Sequence, residues 1–257
     1  MESVAGAGVV VTGAGSGIGA ALARRLADEG ARVVINDLNA AGAREVAASC
    51  GATAVPGDAA SEDGVATLIG AAQEVLGEID LYCANAGVAR GEQVGADPDW
   101  ELSWEVNVMA HVRAARLLLP GWLERGRGHF LATVSAAGLL TMLGAAPYSA
   151  TKHAALAFAE WLAATYSHRG ITVQAVCPQG VRTPLLAGSG PTAALILENS
   201  AISPEEAADA VLAGLAGGEF LILPHPEVAA MYAGRAADPD RWLRGMNKLQ
   251  RRVEAAS

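Results

Sequence analysis

Tyr148-Ser149-Ala150-Thr151-Lys152 sets a phenol and an ammonium four residues apart, a spacing that puts both on one face of a helix. Lysine beside tyrosine favours the phenolate and lowers its pKa. Such a pair is a general acid/base usable near neutral pH. Alone the pattern is weak, because it arises by chance in many helices. A second group lies near the start of the chain, Thr12-Gly13-Ala14-Gly15-Ser16-Gly17-Ile18-Gly19. Glycines between a strand and a helix let the backbone turn sharply and approach a pyrophosphate, whose charge the exposed N–H groups and the helix dipole favour. Asp37 follows Gly19 by 18 residues. A carboxylate there can accept from both hydroxyls of an adenosine ribose. The plainer alternative is the N-cap of the next helix, a place that Asn39 can fill.

The elements that must position these groups follow from hydrophobic periodicity. Short apolar runs predict strands at 9–11, 32–37, 53–56, 79–84, 129–134, 172–177 and 220–223. Amphipathic runs predict helices at 16–29, 39–49, 61–76, 98–119, 147–166 and 204–215, and Gly188 to Gly190 with Pro191 predicts a loop. Strands alternating with helices, and strands that are continuously apolar, imply an α/β fold with a parallel sheet covered on both faces. Beyond residue 223, helices at 226–233 and 238–253 form a C-terminal extension over about 225–257 of a single domain, 1–257.

Composition narrows the function. The chain has 257 residues, 52% of them apolar, a net charge of −9 and a pI near 5.0. An acidic surface repels phosphate backbones, so nucleic acid is not an expected partner. Cys50, Cys83 and Cys177 lack metal or disulfide spacing and read as reduced, packed thiols of a cytoplasmic protein. His111, His129, His153, His168 and His225 show no ligand spacing either, so no metal is expected. Residues 1–12 carry an acid and no basic run, unlike a signal peptide. The uncharged stretch 130–151 is long enough to span a bilayer, but Ser135, Gly138, Gly144 and Pro147 break it into strand, loop and helix start, so no membrane partner is expected.

Over about residues 9–223 the chain resembles the short-chain dehydrogenase/reductase family in its classical form. The family's TGxxxGxG is matched by Thr12, Gly13, Gly17 and Gly19, and its NNAG appears as Ala84-Asn85-Ala86-Gly87, with Ala84 replacing the first Asn. Ser16 stands where the extended branch requires a glycine. The resemblance implies a Rossmann-like, doubly wound, seven-stranded sheet. It implies that Gly13, Ser16, Gly17, Ile18 and Gly19 hold the pyrophosphate, Asp37 the ribose, Asp58 the adenine, and Asn85, Ala86 and Gly87 the turn beside them. Pro178-Gln179-Gly180-Val181-Arg182-Thr183 resembles the segment bordering the nicotinamide, with Val181 and Thr183 at the carboxamide and Gln179 in place of a glycine. It also implies a catalytic set of Asn107, Ser135, Tyr148 and Lys152, in which Ser135 holds the substrate oxygen, Lys152 also holds the nicotinamide ribose, and Asn107 supports a water chain to Lys152.

The function these residues imply is NAD(H)-dependent interconversion of a secondary alcohol and a ketone. The alternatives are an NADPH-dependent ketoreductase or a catalytically weak NAD(H)-binding redox sensor. Candidate pocket residues are Ala137, Met142, Ala145, Gln179 and Leu185, joined by Leu139, Leu143, Leu186, Leu195 and Ile196, each of which could equally be core. They suggest an uncharged, fairly apolar substrate. Met231, Tyr232 and Trp242 of the tail pack over the pocket or at a subunit contact. Apolar outer faces around Trp104 and Trp161 predict a homotetramer, or a homodimer.

Overall fold

Successive residues of each inner strand feed opposite cores. Val10 packs into a cluster with Leu68, Leu118 and Leu162, while Val9 and Val11 pack into another with Leu22, Val46 and Val211. Val34 and Tyr82 join the first, and Val33, Ile35, Leu81 and Cys83 the second. A strand buried on both faces has no polar side to alternate with, which is why the sequence shows continuous apolar runs. A computed structural model describes residues 3–256. Met1, Glu2 and Ser257, which the single-domain reading of 1–257 includes, lie outside the described residues.

The strands are β1 (Gly8–Val11), β2 (Arg32–Ile35), β3 (Thr53–Ala54), β4 (Leu81–Ala84), β5 (Gly128–Thr133), β6 (Ile171–Val176) and β7 (Leu221–Ile222). They form one parallel sheet in the order β3-β2-β1-β4-β5-β6-β7. Helices α1 (Gly17–Asp28), α2 (Ala40–Cys50) and α10 (Pro204–Gly217) supply one core. Helices α3 (Glu62–Leu76), α5 (Ala110–Arg125) and α7 (Ala146–Tyr166) supply the other. The strand order reverses between β1 and β4, and the crevice at the carboxyl ends of such strands is where doubly wound sheets bind ligands.

Two expected elements differ. The helix expected at 98–119 is three pieces: α4 (Asp97–Trp104), a π-helical turn (Glu105–Met109) and α5. α5 also runs past Pro120 to Arg125, although proline removes a helical donor. Trp122 explains the continuation: it is buried, and its indole N–H donates to the Ile79 carbonyl at 2.7 Å. The loop expected at Gly188 to Gly190 with Pro191 is shorter, confined to Gly188 and Ser189 between α8 (Pro184–Ala187) and α9 (Gly190–Leu197). Thr183 caps α8, accepting from the Leu186 N–H at 3.3 Å, and a proline stands in the first turn of each helix, where its missing donor costs nothing. A short α6 (Ala137–Leu140) breaks the 130–151 stretch, and α11 (Glu227–Ala237) and α12 (Pro239–Ala256) form the C-terminal extension. No helix of the described residues is long and apolar enough to cross a membrane. All three cysteines are free, Cys83 and Cys177 buried.

His111 on α5 is buried, with neither ring nitrogen hydrogen-bonded among the described residues, and its ring meets Phe130 edge-on at 6.1 Å. Burial, helped by the Lys152 charge, pushes its pKa down to about 3. The folded state therefore takes up this proton less readily than the unfolded chain, whose histidines titrate near 6.5. The resulting stability is full above about pH 6.5 and is lost progressively as pH falls toward 3. In urea titrations from pH 7 to pH 4, His111→Leu should lose less of its midpoint than the wild type. Equal losses would remove His111 from the account.

Candidate active site

β1 delivers the chain into the glycine loop, and the loop packs directly on the turn that follows β4. A Cβ on Gly13, whose φ is +62°, would stand 2.7 Å from the Ala86 Cα, and one on Gly19 would meet the Gly13 carbonyl oxygen and the Asn85 amide at about the same or shorter range. Only glycine allows that approach. Asn85 fastens the two turns, its side-chain amide donating to the Thr12 and Gly13 carbonyls at 2.9 and 3.2 Å. The Thr12 hydroxyl accepts from the N–H groups of Asn85 and Ala86, both at 3.0 Å. Sequence reasoning gave Thr12 a place in the motif but no role, because a threonine at a strand end carries no signal of what faces it.

The start of α1 fits a phosphate. Ser16 stands at its N-cap without a side-chain capping bond. Among the described residues no protein group accepts from the N–H groups of Gly17 and Ile18, and both residues line a cavity of about 870 Å³. Unsatisfied first-turn donors at the positive end of a helix suit an anion. Asp37, just beyond β2, lines the same cavity. Its carboxylate accepts from the Gly15 and Asn39 N–H groups, both at 2.8 Å, while Asn39 itself caps α2. Asp58 is not among the lining residues. Its carboxylate accepts from Ala60 and Ser61 at the entry to α3, and hydrogen bonds there, Ser61 foremost, hold its pKa below the usual carboxylate range.

Tyr148 and Lys152 occupy the first turns of α7. Lys152 is 3% exposed, donates to the Thr133 carbonyl at 2.9 Å and has its Nζ 5.7 Å from the centre of the Tyr148 ring. Ser135, two residues past β5, lies beside Tyr148, and its hydroxyl accepts from the Ala137 N–H at 3.0 Å. Burial raises the Tyr148 pKa, and the neighbouring Ser135 hydroxyl opposes it. Burial lowers Lys152 to about 8. The lysine was expected to lower the phenol, but with protein groups alone desolvation dominates. Asn107 stands in the π-helical turn, behind the cavity wall rather than on it. Its amide exchanges hydrogen bonds with the Val88 N–H and carbonyl at 2.9 and 3.0 Å and donates to the Thr151 hydroxyl at 3.1 Å. A Cβ on Gly87 would lie 3.3 Å from both the Asn107 oxygen and the Lys152 nitrogen, so glycine keeps that gap open.

Of the expected residues, Gly13, Ser16, Gly17, Ile18, Gly19, Asp37, Asn85, Ala86, Gly87, Ser135, Tyr148, Lys152, Pro178, Val181 and Thr183 meet around this one cavity. So do Ala137, Met142, Ala145, Gln179 and Leu185, with Leu143, Leu186 and Ile196. Leu139 is core and Leu195 is half exposed instead. From the tail come Met231 and Trp242, together with Met246 and Leu249 of α12, which periodicity alone gave no reason to place there. Tyr232 stays outside the lining. Among the described residues no group of three or more His, Cys, Asp or Glu side chains could hold a metal ion.

The short chain dehydrogenase family model matches residues 7–193. The chain is 41% identical over 229 residues to a 1-deoxy-11-beta-hydroxypentalenate dehydrogenase of Streptomyces avermitilis, covering 85% of this chain and 84% of that protein. It is 34% identical over 240 residues to a putative ketoacyl reductase of Streptomyces coelicolor, covering 87% of each. A short chain dehydrogenase/reductase from Burkholderia phymatum, solved in complex with NAD, superposes with a TM-score of 0.85 at 27% identity, over 93% of this chain and 96% of that one. A 3-ketoacyl-(acyl-carrier-protein) reductase from Brucella melitensis, complexed with NADH, gives 0.80 at 28% identity, over 87% and 99%. With glycine loop, sheet order and sequence all in agreement, this chain belongs to the short-chain dehydrogenase family.

Proposed function

We propose that the protein is an NAD(H)-dependent oxidoreductase that interconverts a secondary alcohol and a ketone. The observation that carries this reading is the meeting of Ser135, Tyr148 and Lys152 in one cavity with the glycine loop and Asp37. Bound NAD would supply hydride exchange at its nicotinamide ring and, when oxidised, a positive charge. The residues that would hold it are the α1 first turn at the pyrophosphate, Asp37 at the adenosine ribose, Lys152 at the second ribose, and Val181 and Thr183 at the carboxamide. The Tyr148 phenolate takes the proton of the alcohol, and the resulting hydroxyl returns it in the reverse direction. Ser135 holds the substrate oxygen and stabilises its developing charge. The names of the two Streptomyces relatives point to hydroxyl and keto chemistry of the same kind. The wall offered by Met142, Leu185, Ile196, Met231, Trp242 and Met246 suits a bulky, largely apolar substrate.

Preference for NAD over NADP rests on Asp37. A 2′-phosphate would face its carboxylate, and two unit charges about 4 Å apart repel by roughly 4 kcal/mol at an effective dielectric near 20. The next residue, Leu38, is 80% exposed and supplies no cation. The two solved neighbours hold NAD and NADH, in keeping with this choice. A homotetramer is proposed on a separate ground: Trp104, Leu117 and Trp161 are each more than 40% exposed on α4, α5 and α7, and such faces call for a partner.

Tyr148→Phe should lower kcat about a hundred- to ten-thousand-fold and leave NADH binding, read by fluorescence, nearly intact; a variant keeping half the wild-type kcat would end the assignment. kcat/KM should favour NAD over NADP by about tenfold or more, and Asp37→Ala should narrow that ratio mainly by weakening NAD. An unchanged ratio would make Asp37 a purely structural turn residue. Light scattering at micromolar concentration should give four subunits, reduced by Trp161→Arg, and a monomeric wild type would contradict the oligomer.

A further inference from the structure

His225 lies between β7 and α11 and is 3% exposed. Its Nδ1 is 3.1 Å from the backbone nitrogen of Gln179, and its Nε2 is 3.2 Å from the carbonyl oxygen of Ser200. An amide N–H can only donate and a carbonyl can only accept. The ring is therefore neutral, with its proton on Nε2. Its two partners are the two ends of residues 179–200, the segment that carries α8 and α9 and forms the outer cavity wall with Val181, Leu185 and Ile196. The same base is laced by Arg182 N–H to the Ile202 carbonyl at 2.9 Å and Ile202 N–H to the Gly180 carbonyl at 3.1 Å. One end borders the reacting groups, because the Pro178 carbonyl accepts from the Ala136 N–H at 2.8 Å and from the Ser135 hydroxyl at 3.4 Å.

We propose that His225 is a positioning residue: its neutral imidazole clamps both ends of the 179–200 segment and so holds the substrate wall against Ser135 and Tyr148. This inference rests on the hydride-transfer reading of the site. A proton on Nδ1 would set two donors against each other and release Gln179. The charged groups around the ring are few. Glu206 of α10, bonded to the Ser203 N–H, is paired with Arg182 at 3.7 Å. Glu227 opens α11 two residues after the histidine. The clamp thus couples substrate affinity to pH through one ring and leaves the chemistry of Tyr148 and Lys152 untouched.

Three variants separate the two bonds. His225→Ala loses both, His225→Asn keeps an acceptor toward Gln179, and His225→Gln keeps a donor toward Ser200, and neither amide titrates. KM for a secondary alcohol should rise about tenfold in His225→Ala, the effect of losing about one hydrogen bond, with kcat changing much less. The Asn and Gln variants should fall between. In the wild type KM should climb as pH falls, and this climb should be absent from His225→Asn. Amide hydrogen exchange over 179–200, corrected for intrinsic rate, gives a readout without turnover. Its protection should fall with pH in the wild type and be low at every pH in His225→Ala. Unchanged KM and exchange in His225→Ala would overturn the proposal, as would an acid-side KM climb that persists in His225→Asn. If His225→Ala does not fold, the Asn variant and the wild-type exchange profile decide. If the wild type oxidises no alcohol, the reading of the site fails while exchange still tests the clamp. Turnover with pH-independent exchange sinks the clamp alone.

Discussion

The Lys152 ammonium is held 3% exposed between α7 and β5, with the Thr133 carbonyl 2.9 Å away. Removing a charge from water is costly unless polar groups replace the hydration, and the cost here shows in a pKa lowered to about 8. Much of the surrounding structure serves that placement. α7 can approach β5 because its inner face is small: Ala155 and Ala159 are wholly buried. Gly138 leaves room for the Lys152 backbone, whose carbonyl oxygen would be 2.7 Å from a Cβ there. Thr151 turns its hydroxyl toward Asn107, and Asn107 in turn holds Val88 at the end of the β4 connection. The lysine thus stands at the meeting of α7, β5, the π-helical turn and the turn after β4, and it is ordered by all of them.

The opposite half of the cavity depends on close backbone approach rather than on charge. The reversal of strand order at β1 and β4 brings two turns side by side. Asn85 and Thr12 satisfy polar groups those turns would otherwise bury, while the first-turn donors of α1 stay unspent. A site that must bind an anion needs donors without internal partners, and the fold supplies them at the one place where neighbouring connections diverge.

The fold was legible because double-sided burial forces uninterrupted apolar strands, and Val9 to Val11 or Leu81 to Ala84 carry nothing else. The glycine loop and the Tyr148–Lys152 pair were legible because their spacing is itself the geometry. The π-helical turn was not, since one inserted residue at Glu105–Met109 leaves a helical period almost unchanged, and it took the bonds of Asn107 to Val88 to reveal it. α8 and α9 were hidden by Gly188 and Gly190, whose loop signal outweighed the helix-start signals of Thr183, Pro184 and Pro191. Met246 and Leu249 were invisible for a further reason: an apolar stripe states that a helix has an inner face but not what that face covers.

Burial acts on Tyr148 and Lys152 in opposite senses, raising the first and lowering the second. Each shift favours the uncharged form, so protein groups alone keep the tyrosine a phenol. A unit positive charge brought about 4 Å from the phenol oxygen changes the balance by roughly 4 kcal/mol at an effective dielectric near 20, equal to about three pKa units. An oxidised nicotinamide carries such a charge and its reduced form does not. The same low-polarity setting that penalises the phenolate also leaves that charge poorly screened. In the proposed reading, desolvation and cofactor charge would work as one device, in which the phenolate forms readily only when an acceptor of hydride is in place to use it.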